Sequence, residues 1–172
     1  MGQAVHAAHP QTTRHGMKLL IVAVGHKMPD WINVGFAEYS KRMPREARIE
    51  LVEIKPEPRS SGKSTIQIMA AEAQRILNAV PQDALKIVLD ERGSQLATKQ
   101  MTQQMQVWMG SGRDIVFIIG GADGLHESVK SSAQQMFSLS ALTLPHGLVR
   151  VLLAEQLYRA HSLMHNHPYH RE

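Results

Sequence analysis

"DIVFIIGGADG", residues 114–124, is the stretch on which the fold turns. Residues 115–119 are all β-branched or aromatic, with no polar position among them. A strand with no polar face is buried on both sides, as happens in a parallel sheet covered by helices. The run stops at Gly120 and Gly121, so the chain leaves the strand through a tight turn or a backbone surface open to close approach. Both readings of the glycines stand on sequence alone.

Working outward, the same grammar repeats. "KLLIVAVG" (18–25) and "ALKIVLD" (84–90) read as two further buried strands, and "ARIELVEIK" (47–55) as one with a wetter face. "SLSALTLP" (138–145) reads as a fifth. Helical patterns fill the gaps. Residues 29–43 open on Pro29 and carry Trp31, Val34 and Tyr39 at roughly helical spacing. Residues 64–80 start on a Ser cap and offer Ile68, Ala71, Ile76 and Val80 to a core. Residues 96–109 place Met101, Met105 and Trp108 on one side. A short helix covers 126–136 and a last one 147–165. The order βαβαβαβαβα predicts an α/β domain: one mainly parallel sheet with helices on both faces.

Bulk properties narrow the class. With 172 residues and 43 % hydrophobic content, one domain with an ordinary core is expected. There is no cysteine, which excludes disulfides and thiolate metal sites and is compatible with a cytoplasmic location. No apolar run approaches the ~20 residues of a membrane span, so no membrane partner is expected. A formal charge of +4 favours a polyanionic partner without demanding one. Residues 1–16, "MGQAVHAAHPQTTRHG", show no hydrophobic periodicity and no secretory pattern. They are expected to be a disordered extension or expression remnant, with the domain occupying 17–172.

Ligands of open α/β sheets bind beyond the carboxyl ends of the strands. Two nucleotide motifs fail there. "SSGKST" resembles half a phosphate-binding loop, but the full pattern needs a glycine where Glu57 stands. The first strand ends in a lone Gly25 rather than a dinucleotide-binding glycine series. What remains is the glycine turn at 120–124 and "SLSALTLPHG" (138–147). In the latter, Leu139, Leu142 and Leu144 could wall an apolar slot beside free backbone groups, which suits an adenine, or could simply be a buried strand and turn. The last helix is apolar almost all round except for a stripe of Glu155, Arg159 and Ser162, which predicts burial on more than one side and a second copy of the chain as cover. His161, His165, His167 and His170 invite a metal reading, but no carboxylate stands at ligand spacing to them and no metal is expected.

"IIGGADG", "SLSALTLPH", "LVRVLLAEQLYRA" and the terminal "NHPYHRE" (166–172), together with "VAVGHKMPDW" and "LDERG", resemble the ribosomal large subunit methyltransferase H family. This is the small, single-domain branch of the SPOUT methyltransferases. The resemblance implies a C-terminal trefoil knot, which periodicity cannot reveal. It implies S-adenosyl-L-methionine as cofactor, bound at Leu89, Gly120, Gly121, Leu139, Ser140, Ala141, Leu142, Thr143 and Leu144. It implies a homodimer that methylates N3 of the pseudouridine at position 1915, in helix 69 of 23S rRNA, on the assembled ribosome. The imide N3–H is a weak acid, so the reaction needs a base or a cation that stabilises the imidate. On this reading His170 supplies the base, Arg171 the cation, and Tyr169 stacks on or bonds to the nucleobase. Two other classes compete: a ribosome-binding module without catalysis, and a phosphate-loop hydrolase, which Glu57 disfavours.

Overall fold

The structure, a computed structural model, describes residues 16–171. The proposed extension therefore lies outside the described residues except for Gly16, as do Glu172 and the side chains of His170 and Arg171. Five strands, β1 (Met17–Val24), β2 (Ala47–Ile54), β3 (Leu85–Gln95), β4 (Ile115–Ile119) and β5 (Gln135–Ser138), form one sheet in the order β2-β1-β4-β3-β5. Every pairing is parallel. β4, the decisive run, is buried at all of its positions and lies between β1 and β3.

Alternation along the strands sends side chains to two cores. Leu19, Ile21, Ile87, Ile115 and Phe117 face one side, where α3 (Thr98–Ser111) and α5 (His146–Met164) supply Met105, Trp108, Leu153 and Leu157. α1 (Asp30–Ser40) covers the same side. Leu20, Val22, Val88, Val116 and Ile118 face the other side, under α2 (Thr65–Ala79) and α4 (Glu127–Ser132). The expected α/β architecture, with helices on both faces, is what the chain adopts. Trp108 anchors the first core: it meets Phe117 edge-on at 5.5 Å and its indole N–H donates to Gln135 Oε1 at 3.2 Å. α2 begins as expected, because Ser64 and Gln67 form a reciprocal capping box.

Two local expectations are corrected, the inward face of α2 and the fifth strand, and α1 and α5 add details of their own. Trp31 and Val34 point outward, 61 % and 68 % exposed, and Ile32 is the residue of α1 that is buried. The inward face of α2 is Ile68, Glu72, Ala73 and Ile76, with Ala71 and Val80 only half-buried. The fifth strand is Gln135–Ser138 rather than 138–145, and α4 ends at Ser132, ahead of it. Residues 139–145 are loop, held by Ser138 Oγ donating to the Ser140 carbonyl (2.8 Å) and Ser140 Oγ accepting from the Leu142 amide (2.9 Å). α5 buries Leu153 and Leu157 in the core of its own protomer and leaves Leu152 exposed.

β3 runs well past its expected end. It pairs with β5 through Leu89, breaks register, then pairs again at Ser94 with Phe137 and at Gln95 with Ser138. The "DERG" segment is thus a bulge that lifts Asp90 and Arg92 above the sheet's carboxyl edge.

Candidate active site

A cavity of about 570 Å³ opens at the carboxyl ends of β3, β4 and β5, where an open α/β sheet binds its ligands. Its size is that of a small-molecule site. The end of β3 supplies Leu89 and Asp90, the glycine turn supplies Gly120, Gly121 and Gly124, and the loop after β5 supplies Leu139, Ser140, Leu142, Thr143 and Leu144. The first turn of α5 closes it with Pro145, His146 and Val149. Eight of the nine cofactor residues implied by the resemblance therefore line one cavity. Ala141, exposed at the tip of the loop, is not among them.

The glycines have a reason of their own. A Cβ on Gly120 would lie 2.8 Å from the Gly124 carbonyl carbon and 2.9 Å from Leu125 Cγ, so the turn packs against itself there. Gly124 closes the turn in the left-handed region, φ +83°, with its amide donating to the Gly121 carbonyl at 3.0 Å. Replacing Gly120 by valine should therefore displace the turn and, with it, the cavity wall. Thermal melting separates this from simple blocking of a ligand: displacement lowers the melting temperature, whereas blocking leaves it unchanged.

Below the glycine turn lies a residue the sequence did not flag. Glu72 is buried at the centre of α2; its Oε1 accepts the Glu57 amide at 3.0 Å, and its Oε2 lies 3.6 Å from the Cβ position of Gly121. It ties the β2–α2 loop to the cavity floor. The one signal was a carboxylate in helical register with Ile68 and Ile76. Glu57 is buried too, bridged by Lys63 at 2.6 Å and by Arg75, and the two hold its carboxyl below the ordinary range, Lys63 most strongly. Lys63 of "SSGKST" is therefore an internal counter-ion and not a phosphate ligand.

At the rim, Asp90 bonds Lys130 at 3.0 Å and accepts the Arg92 amide at 2.9 Å. Burial pushes its carboxyl up, but the Arg92 amide and the Lys130 ammonium outweigh it and keep the group ionised. His146 is held below the ordinary histidine value, first by burial and then by the Arg150 charge, so it stands neutral at pH 7. A histidine with a depressed pKa contributes stability above its unfolded value near 6.5, and that contribution is lost as pH falls towards the folded value. Between pH 7.5 and 5.5, urea unfolding should weaken more steeply for wild type than for His146→Gln. Equal slopes would remove His146 from the linkage.

The tail stands elsewhere. Residues Pro168–Arg171 form a 3₁₀ turn folded back on α5. Tyr169 packs on Tyr158 with ring centroids 4.7 Å apart, and its hydroxyl donates to Glu155 Oε1 at 3.0 Å. Burial, then this bond to Glu155, pushes the phenol well above its usual range. The guanidinium of Arg159, paired with Glu155 at 2.7 Å, lies 4.9 Å from the Tyr169 ring centre, and Arg42 of the loop after α1 approaches the same aromatic group. Tyr169 thus anchors the tail. Val149 is the last α5 residue lining the cavity; Glu155 is roughly 9 Å further along the helix axis and about 240° around it. No described tail residue lines the cavity of its own protomer. His161 and His165 stack at 4.2 Å, and among the described residues no three His, Asp or Glu side chains converge as a metal site.

This fold and cavity define a class, and the comparison with known sequences agrees: a family described as "Predicted SPOUT methyltransferase" matches residues 17–170. Two curated relatives are called ribosomal RNA large subunit methyltransferase H. The one from Methylobacillus flagellatus is 56 % identical over 91 % of this chain and all of its own length; the one from Nitrosospira multiformis is 59 % identical over 90 % and 99 %. The chain belongs to this family of SPOUT methyltransferases and is a methyltransferase. A probable methylase family protein of known structure from Haemophilus influenzae shares the fold, with a TM-score of 0.51 at 13 % identity over 91 % of this chain and 70 % of that one.

Proposed function

We propose that the protein is an S-adenosyl-L-methionine-dependent methyltransferase acting, as a cytoplasmic homodimer, on N3 of the pseudouridine in helix 69 of 23S rRNA in the assembled ribosome. The observation that carries this is the cavity itself, built at the positions the family uses, in a chain 56–59 % identical to proteins named for the large-subunit rRNA. The residues fit the cofactor: Leu89, Leu139 and Leu144 make an apolar wall for an adenine, and the loop backbone offers it hydrogen bonds. When bound, the cofactor supplies an electrophilic methyl group.

The chain's own residues hold the acceptor and manage its proton. Arg171 stabilises the imidate and His170 takes the N3 proton. Tyr169 fixes where both stand. Because the tail lies away from its own cavity, it serves the cavity of a partner. The trefoil knot belongs to the same reading: the chain leaves edge strand β5, passes the loop at 139–145 and returns as α5 to pack on both α3 and α1. Transfer of labelled methyl groups from the cofactor to free 23S rRNA, 50S and 70S particles tests the reading. Labelling of 70S ribosomes at the pseudouridine is expected, and labelling of free rRNA alone would overturn it.

The dimer face follows from what α1 and α5 leave exposed. Trp31, Val34 and Leu152 are the exposed large hydrophobic residues of these two helices, which pack together where Gly35 meets Val151. Exposed apolar side chains on two helices that pack together mark a candidate interface. Trp31→Glu and Leu152→Asp should each yield monomers that bind cofactor but do not methylate, whereas Leu153→Asp should unfold the protomer. Light scattering of the purified variants checks this, and a wild-type monomer at micromolar concentration would refute the dimer.

A further inference from the structure

The cavity occupies the carboxyl ends of β3, β4 and β5, which leaves the ends of β1 and β2 free on the same edge of the sheet. A transferase needs a second seat beside its cofactor, and the adjacent turn, residues 25–28 after β1, is unusual. Lys27 sits in the left-handed region at φ 55°, a conformation disfavoured for any residue with a Cβ. Nothing local explains the choice of lysine, because its side chain is exposed and has no hydrogen-bond or ion-pair partner among the described residues.

The turn is nevertheless held firmly. Arg150, 1 % exposed, reaches from α5 to the Gly25 carbonyl at 3.0 Å and to Glu53 of β2 at 2.8 Å. The Gly25 amide donates to the Ile54 carbonyl at 2.8 Å. Gly25 has φ +124°, and a Cβ there would meet Met28, Arg150 and His146, all within 3.3 Å. His146 also lines the cavity, so one imidazole is the party wall between the cofactor seat and this turn. Strain that the surroundings over-determine, next to a ligand cavity, is what a ligand clamp requires.

Charge points to the ligand. Most cations near this edge are neutralised: Arg59 by Asp123, Lys63 and Arg75 by Glu57, Lys130 by Asp90. Lys27 after β1 and Lys55 after β2 make no ion pair among the described residues, and Arg92 at the cavity rim makes none either, although its charge bears on Asp90, which already pairs with Lys130. They leave positive charge along the edge, with the cavity between Lys27 and Arg92. We propose that the β1–α1 turn is the seat of the acceptor strand's phosphate backbone, with Lys27 as its phosphate contact and Lys55 and Arg92 continuing the track to either side. This rests on the acceptor being an RNA. It gives a protein with no separate RNA-binding domain among its described residues a way to register a nucleotide against the methyl group.

The test measures binding and turnover separately. Cofactor-loaded dimer is titrated with a fluorescein-labelled RNA stem-loop between 50 and 200 mM salt, using wild type, Lys27→Gly, Lys27→Gln and Arg45→Ala. The glycine variant keeps the left-handed turn without its strain, the glutamine variant keeps the side-chain stem, and Arg45 is a cation with no ion pair among the described residues, at the opposite, amino-terminal edge. Both Lys27 variants should bind RNA on the order of five-fold more weakly at low salt, with the salt slope reduced by about 0.7–0.9, the share of one phosphate contact. Affinity for S-adenosyl-L-methionine should not change, and Arg45→Ala should match wild type. Unchanged RNA affinity in the Lys27 variants overturns the proposal. So does wild-type RNA binding without salt dependence, an equal loss in Arg45→Ala, or a loss of cofactor affinity, which would assign Lys27 to the cofactor. Failure of the ribosomal reading looks different: wild type would bind the stem-loop through Lys27 yet transfer no methyl group to ribosomes.

Discussion

Removal of residues 168–172 is expected to reduce methyl transfer by about 10³-fold or more, the combined share of a general base and one electrostatic contact, while cofactor binding and dimerisation persist. The cavity is lined from the ends of β3, β4 and β5 and the start of α5, and no described tail residue is among its lining. The apolar face of Trp31, Val34 and Leu152 is likewise independent of it. The truncation uncovers Tyr158 and frees Glu155 and Arg159 to pair with each other alone, a surface change of small cost. Point substitutions divide the effect. Arg171→Ala should cost on the order of 10²-fold in turnover. An imidazole acting as base must be neutral, so the wild-type rate should fall on acidification, and His170→Ala should flatten that limb. Tyr169→Phe removes the hydroxyl and its bond to Glu155 while keeping the ring, and should act by loosening the tail, raising KM for ribosomes more than it lowers kcat. A truncated enzyme that methylates at near the wild-type rate would leave the proton without a carrier and send the search to His146 and His26.

The fold was legible wherever burial alone dictated residue type. Ile115–Ile119 lies between two strands and under two helical layers, so each position had to be apolar, and the run could be read directly. Legibility failed where pairing overrode pattern. "DERGSQ" has no apolar character, yet Ser94 and Gln95 continue β3 because β5 offers backbone partners across the bulge. "SALTLP" alternates like a strand, but Ser138 and Ser140 bind its backbone locally and turn it into a loop. Helical spacing did not say which way Trp31 and Val34 face; they stay outside because α1 meets α5 through Gly35, where Val151 approaches. The candidate cofactor residues came from resemblance, since the sheet order that gathers β3, β4 and β5 is not encoded in any local period. Glu72 escaped because a buried carboxylate looks like surface until its partner, the Glu57 amide, is in place.

The second large effect is expected at Gly93. A Cβ there would lie 2.5 Å from the carbonyl carbon and 2.7 Å from the amide nitrogen of Phe137, and 2.8 Å from the carbonyl carbon of Met136. These are backbone atoms of β5 and cannot step aside as a side chain can. Gly93→Ala must therefore push the end of β3 off β5, shifting Asp90 and the 139–145 loop that β5 launches. Displacement on the ångström scale is expected to weaken cofactor binding by about 10²-fold. Phe137 packs on Trp108 with ring centroids 6.3 Å apart, so the first core is strained as well. The second core around Val116 and Ile118 lies on the other face of the sheet, and circular dichroism should still report a folded chain with a lower melting temperature. This variant has a damaged cavity and an intact tail, whereas the truncated enzyme has the reverse. Mixed and allowed to exchange subunits, the two inactive proteins should regain activity, because a heterodimer joins the sound cavity of one protomer to the sound tail of the other. With random exchange between two-fold symmetric dimers, about a quarter of the wild-type sites would be restored. Were the tail to act on its own cavity, no pairing of the two variants could assemble a working site, and the mixture would stay silent.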